Sequence, residues 1–133
     1  MSRHVVMTFA DKVIIVTGAS EGIGAELARQ LALEKPKLVL AARRLDVLQG
    51  VVAQCVAAGA EAVAVRCDVG IEADCRALID STVAHFGRID ILVNNAGGST
   101  YARFLDITDD DFRHTFEWCV TSAFIMSQLA APH

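Results

Sequence analysis

Thr17-Gly18-Ala19-Ser20-Glu21-Gly22-Ile23-Gly24 is the stretch on which the fold turns. Before it runs Val13 to Val16, a short β-branched segment. After it, Ile23, Leu27 and Leu31 recur every four residues, the period of an amphipathic helix. The glycines therefore sit between a predicted strand and a predicted helix. Their spacing is G-x-x-x-G-x-G rather than G-x-G-x-x-G, but the physics is shared. Gly18 permits a tight turn out of the strand. Gly22 lets a pyrophosphate approach the backbone, and Gly24 lets helix and strand pack closely. The first N–H groups and the dipole of the new helix would then meet phosphate oxygens.

Outward from this loop the pattern repeats. Leu38 to Ala41, Ala62 to Val65 and Ile89 to Val93 are also apolar almost without alternation, as expected of strands covered on both faces. Between them lie two more helical stripes. One is Leu45, Leu48, Val52, Cys55 and Val56; the other is Cys75, Leu78, Ile79, Thr82, Val83 and Phe86. The order β-α-β-α-β-α-β predicts an α/β fold, a doubly wound parallel sheet of about four strands with right-handed crossovers. Residues 1–133 read as one dinucleotide-binding domain of Rossmann type, incomplete in extent.

A last helix is predicted from Thr108 to Ala131. Thr108 with Asp111 three residues on resembles a capping box. Asp109 to Asp111 suit the positive end of the helix dipole better than a metal site. The helix carries two apolar stripes. Phe112, Phe116, Val120, Ala123 and Phe124 form one; Trp118, Ser122, Ile125 and Leu129 form the other. One can pack on its own sheet. The other needs a neighbouring helix or a second subunit, and a homo-oligomer through this helix is the expectation.

Composition removes other classes. The chain has 133 residues and a formal charge of −4, with no broad basic field, so nucleic acid is not an expected partner. No apolar run approaches the ~20 residues of a membrane span. Arg3 and His4 precede an apolar stretch, Val5 to Ala10, too short for a signal peptide. Cys55, Cys67, Cys75 and Cys119 form no C-x-x-C pair. They are expected to be reduced core thiols of a cytoplasmic protein rather than metal ligands.

About 20 residues after the glycine loop, a dinucleotide fold places a side chain near the adenosine ribose. An NAD reader wants a carboxylate there. This chain has Ala42-Arg43-Arg44, and two guanidinium forks suit a 2′-phosphate. NADP(H) is therefore favoured over NAD(H). Glu21, inside the loop, pulls the other way by repelling a phosphate.

Taken together, Thr17 to Gly24, Asp68-Val69 and Asn94-Asn95-Ala96-Gly97 resemble the short-chain dehydrogenase/reductase family in order and spacing over the whole chain. The resemblance implies an oxidoreductase that moves hydride between a nicotinamide and a carbonyl or secondary alcohol in a small-molecule substrate. It implies that Gly18, Gly22 and Gly24 line the pyrophosphate, with Ser20 and Ile23 adding contacts. It places Arg43, with Arg44 beside it, at the basic position of NADP-using members. Asp68 would bond the adenine amine, with Val69 flanking the ring. Asn94, Ala96 and Gly97 would lie along the ribose, and Asn95 would tie neighbouring strands.

The resemblance also breaks. The family's chemistry uses Tyr-x-x-x-Lys and an upstream serine. Here Tyr101 is the single tyrosine, Leu105 stands four residues on, and Lys12, Lys35 and Lys37 are the only lysines. Cys119 stands where the family usually has a catalytic asparagine, and is expected to be a neutral core thiol. The 133 residues alone are thus expected to hold cofactor without turning it over, the alternative being a non-catalytic dinucleotide-binding or subunit-assembly fragment. Without the family's further strands, Ile89 to Val93 would be an open apolar edge. Tyr101 and Phe104 are expected to be packing residues rather than the border of a substrate mouth.

Overall fold

The structure is a computed structural model that describes residues 8–133. Arg3, His4 and Val5 of the N-terminal stretch lie outside the described residues. Four strands, β1 (Val13–Thr17), β2 (Lys37–Ala42), β3 (Glu61–Arg66) and β4 (Ile91–Val93), form one parallel sheet in the order β3-β2-β1-β4. Parallel neighbours cannot be joined by a tight turn, so each connection carries a helix. These are α1 (Gly22–Ala32), α2 (Leu45–Ala57) and α3 (Glu72–Phe86).

The two central strands explain the unbroken apolar runs. Ile14, Val16, Leu38 and Leu40 face α1 and α2. Ile15, Val39 and Ala41 face α3 and the last helix. Every residue of β1 is buried, whereas β3 and β4 at the edges are only half-buried within the sheet. The fourth strand is shorter than Ile89 to Val93. The two residues before it serve as a clasp instead, with Asp90 accepting the Val13 N–H at 2.9 Å and Ile89 donating to the His133 carbonyl. Small residues carry much of the packing of α1. Ala25, Ala28 and Ala32 are buried, while Ile23 at the head of the predicted stripe is 81% exposed. Leu45 and Val56, at the ends of the α2 stripe, are exposed as well.

The last helix departs from the sequence reading. It comprises α4 (Asp109–Phe116), a π-type segment (Glu117–Thr121) and α5 (Ser122–Ala130). The Ser122 N–H reaches the Glu117 carbonyl, five residues back, which is the signature of the wider turn. The capping box at its start is complete. Asp111 N–H donates to Thr108 Oγ1, and Thr108 N–H donates to the Asp111 carboxylate, both at 3.1 Å. The bonds from Thr108 hold the Asp111 carboxyl below the usual carboxylate range. Asp109 is taken by Arg113 at 2.8 Å.

The two stripes separate in the structure. Ser122, Met126 and Ala130 are buried on the α3 side. Phe112, Phe116, Val120 and Phe124 are 64%, 51%, 48% and 64% exposed. Cys55, Cys67 and Cys75 are buried thiols as expected, but Cys119 is exposed, on the open side of the last helix with Phe116 and Val120, where it meets the loop after β4. Tyr101 and Phe104 are exposed too and pack no core. No helix among the described residues is long and apolar enough to cross a membrane.

Candidate functional site

Ligands in open α/β sheets bind beyond the carboxyl ends of the strands, where the order reverses. Here that point lies between β1 and β4, and the glycine loop stands over it. Gly18 leaves β1 at φ +62°, and a Cβ there would fall 2.9 Å from Ala96 Cα. Gly24 sits closer still, since its Cβ would come within 2.4 Å of the Gly18 carbonyl oxygen. Glu21 is the N-cap residue of α1 but its side chain caps nothing, and no acid lies in the first turn. The first-turn N–H groups are therefore left without a side-chain acceptor. At α4 the capping box fills that same need. The starts of α2 and α3 also lack a side-chain cap but carry acids in the first turn; α1 has neither.

The far wall comes from the loop after β4. Asn95 Nδ2 donates to the carbonyls of Thr17 and Gly18 at 3.1 and 3.2 Å. Thr17 Oγ1 accepts the N–H groups of Asn95 and Ala96 and donates to the Val93 carbonyl. Asn95 thus ties β1 to β4, as expected.

A groove of about 280 Å³ opens between these walls. Gly18, Ser20, Arg43, Arg44, Asp68, Val69, Ala96 and Gly97 line it. Gly22, Ile23 and Gly24 do not: they begin the helix behind the loop. Asn94 points elsewhere, donating to Ser127 Oγ at 3.1 Å.

The short chain dehydrogenase family model matches residues 12–133. The chain belongs to this family. It is 40% identical over 121 residues to the 7alpha-hydroxysteroid dehydrogenase of Escherichia coli K12, covering 91% of this chain and 47% of that protein. It is 37% identical over 123 residues to an uncharacterized oxidoreductase of Methylorubrum extorquens, covering 92% and 50%. A 7 alpha-hydroxysteroid dehydrogenase solved with NADH and 7-oxo glycochenodeoxycholic acid superposes with a TM-score of 0.89 at 39% identity, covering 94% of this chain and 49% of that one. The chain spans about half the length of these relatives.

Within this short-chain dehydrogenase groove, the charged residues already have partners. Arg44 pairs with Glu21 at 2.7 Å. Both side chains are more than half exposed, so the pair is worth at most about 1 kcal/mol and can open readily. Closed, the pair masks the Glu21 charge; opened, it returns Glu21 to the loop as a free carboxylate. Arg43 lies over the ring of Trp118, 5.1 Å from the centroid. One oxygen of Asp68 accepts the Gly70 N–H at 2.9 Å and shapes the turn after β3.

Trp118 and Cys67 also line the groove, and the sequence reading places neither there. A constant helical period assigns Trp118 to an ordinary stripe. Its signal is weak: a lone tryptophan next to the residue at the family's asparagine position. Cys67 gives no sequence signal beyond preceding Asp68. Burial pushes its thiol up to about 12, so it is neutral at pH 7. Cys119 meets Gly98 twice, donating from Sγ to its carbonyl at 3.1 Å and accepting its N–H at 3.3 Å. It fastens the loop after β4 to the last helix.

Proposed function

We propose that this chain is the cofactor-binding half of an NADP(H)-dependent short-chain oxidoreductase. Arg43, a guanidinium at the groove wall where NAD readers carry a carboxylate, is the observation that supports the NADP reading. Gly18 at the groove and the N–H groups of the uncapped α1 start behind it would hold the pyrophosphate, with Gly22 adding no side chain in the way and Gly24 letting the helix pack close; Ser20 and the Ile23 backbone would add contacts. Arg43 and Arg44 would meet a 2′-phosphate, Arg44 by leaving Glu21. The free oxygen of Asp68 would accept from the adenine amine beside Val69. Ala96 and Gly97 would border the ribose, with Asn94 behind them. When bound, the nicotinamide supplies or accepts the hydride exchanged with a carbonyl or secondary alcohol. The tyrosine acid/base and its lysine are not among these 133 residues, so this chain by itself is expected to bind without turnover. Buried, unpaired thiols fit the reducing cytoplasm.

Titration with NADPH and NADH tests this. NADPH is expected to bind more tightly, and Arg43→Ala to weaken NADPH about tenfold while leaving NADH within a factor of about two, given what a charge-assisted bond contributes. Equal losses for both cofactors would remove the NADP reading.

The exposed row Phe112, Phe116, Val120 and Phe124 favours an added role in self-assembly. A second copy of the chain is placed there by this reading. Light scattering should then give twice the monomer mass of 14.2 kDa, and Phe116→Glu should return it to monomer. A wild-type monomer at all concentrations would remove this role.

A further inference from the structure

We propose that Trp118 determines cofactor preference, by holding the Arg43 guanidinium on its indole face at the groove wall. This rests on the dinucleotide reading above.

Arg43 follows the end of β2, and Trp118 belongs to the π-type segment of the last helix. They approach from different walls of one groove and meet across it at 5.1 Å. The indole is itself held in place. A Cβ on Gly98 would lie 2.5 Å from Trp118 Cζ3 and 2.6 Å from Cη2, so the ring occupies space that only a glycine leaves. On the preceding turn, the His114 ring lies 6.2 Å away. Trp118 and its neighbour Cys119, both in the π-type segment, meet the same loop at Gly98.

A cation–π contact at 5.1 Å uses the charge of the guanidinium and takes none of its N–H groups into a hydrogen bond. Arg43 can therefore offer N–H groups to a phosphate without leaving the ring. An unstacked arginine in this exposed position would have to give up its rotamer freedom on binding. Arg44 reaches a phosphate only by leaving Glu21, 2.7 Å away, whereas Arg43 need not leave Trp118. Trp118 thus acts as a specificity-determining residue that pre-positions the cation.

The test is calorimetry with 2′,5′-ADP and 5′-AMP on wild type, Trp118→Leu and Trp118→Phe. The ratio of the two affinities cancels any contact with adenine that both ligands lose. Trp118→Leu is expected to reduce the preference for 2′,5′-ADP about fivefold, the value of an exposed cation–π contact. Trp118→Phe should retain most of it. Adding Arg43→Ala should abolish the difference in this ratio between the wild-type and Trp118→Leu backgrounds. Trp118 is also the sole tryptophan, so wild-type emission reads the same event without any substitution. Saturating 2′,5′-ADP should change that emission more than saturating 5′-AMP. An unchanged ratio in Trp118→Leu, or equal emission changes, overturns this proposal and leaves the dinucleotide reading standing. A wild-type chain that binds neither ligand overturns that reading, and this one with it.

Discussion

Gly24→Ala is expected to cost about 3 kcal/mol of stability, the upper end for forcing one methyl into a filled space. For a chain of this length that corresponds to a melting temperature roughly 10 °C lower. The added Cβ would fall 2.4 Å from the Gly18 carbonyl oxygen and 2.5 Å from Asn95 Nδ2. Neither neighbour can withdraw cheaply. Gly18 O and Asn95 Nδ2 are bonded to each other, and Asn95 is also held by the Thr17 carbonyl. Alanine is the better helix former by about 1 kcal/mol, so the propensity gain opposes the clash but does not match it. Gly50→Ala is the control. It lies on an exposed stretch of α2 with nothing within 4 Å of the new methyl, so there the propensity gain should appear alone. Thermal melts followed by circular dichroism decide the matter. A Gly24→Ala chain that melts within about 2 or 3 °C of wild type, on the scale set by ~1 kcal/mol, would show that the loop can yield.

The second large effect is expected at Thr17→Val, which keeps the side chain's shape and removes its oxygen. Thr17 is 1% exposed. Its Oγ1 accepts from Asn95 N–H at 3.1 Å and Ala96 N–H at 3.0 Å, and donates to the Val93 carbonyl at 3.3 Å. A valine leaves the Ala96 N–H without its acceptor, while the Asn95 N–H keeps its second acceptor, the Val93 carbonyl at 3.0 Å. An orphaned donor costs about 1–3 kcal/mol, and the weakened hold on Asn95 adds to it. We expect a loss of about 2 kcal/mol, together with weaker dinucleotide binding, because the freed loop carries Ala96 and Gly97. Urea unfolding measures the first quantity. A midpoint change equivalent to less than ~1 kcal/mol would mean that water replaces the hydroxyl at little cost.

These two positions also show where sequence reading succeeds. Gly24 can be assigned a packing role because its place between a β-branched run and an apolar period leaves few alternatives. Strands and helices are legible for the same reason, since a doubly wound sheet writes both faces of its central strands in apolar residues. Thr17 reads only as the first letter of a motif. Its three bonds join it to residues more than 75 positions away, and no local pattern encodes them. The π-type segment escapes as well. Period counting places Trp118 on a stripe with Ser122, Ile125 and Leu129, and that stripe does pack inward. It gives no sign that the indole also reaches the groove. Residue type alone puts Cys119 in the core, whereas it is exposed and bonded to Gly98 across a gap of 21 positions. The ion pair of Glu21 with Arg44 is hidden because its partners lie on different loops, although each residue draws attention by itself.

The strand order β3-β2-β1-β4 also sets a timetable for the newborn chain. β1 gains its partner on one side once Lys37 to Ala42 has been made, and β3 then extends that edge. The other flank of β1 waits for Ile91 to Val93. At ordinary translation speeds, the interval between Arg66 and Val93 leaving the ribosome is about 1–5 s. Through that interval the backbone of Val13 to Val16 keeps one row of donors and acceptors unpaired. A chaperone that recognises extended apolar chain would find its binding site there, and would lose it when β4 docks.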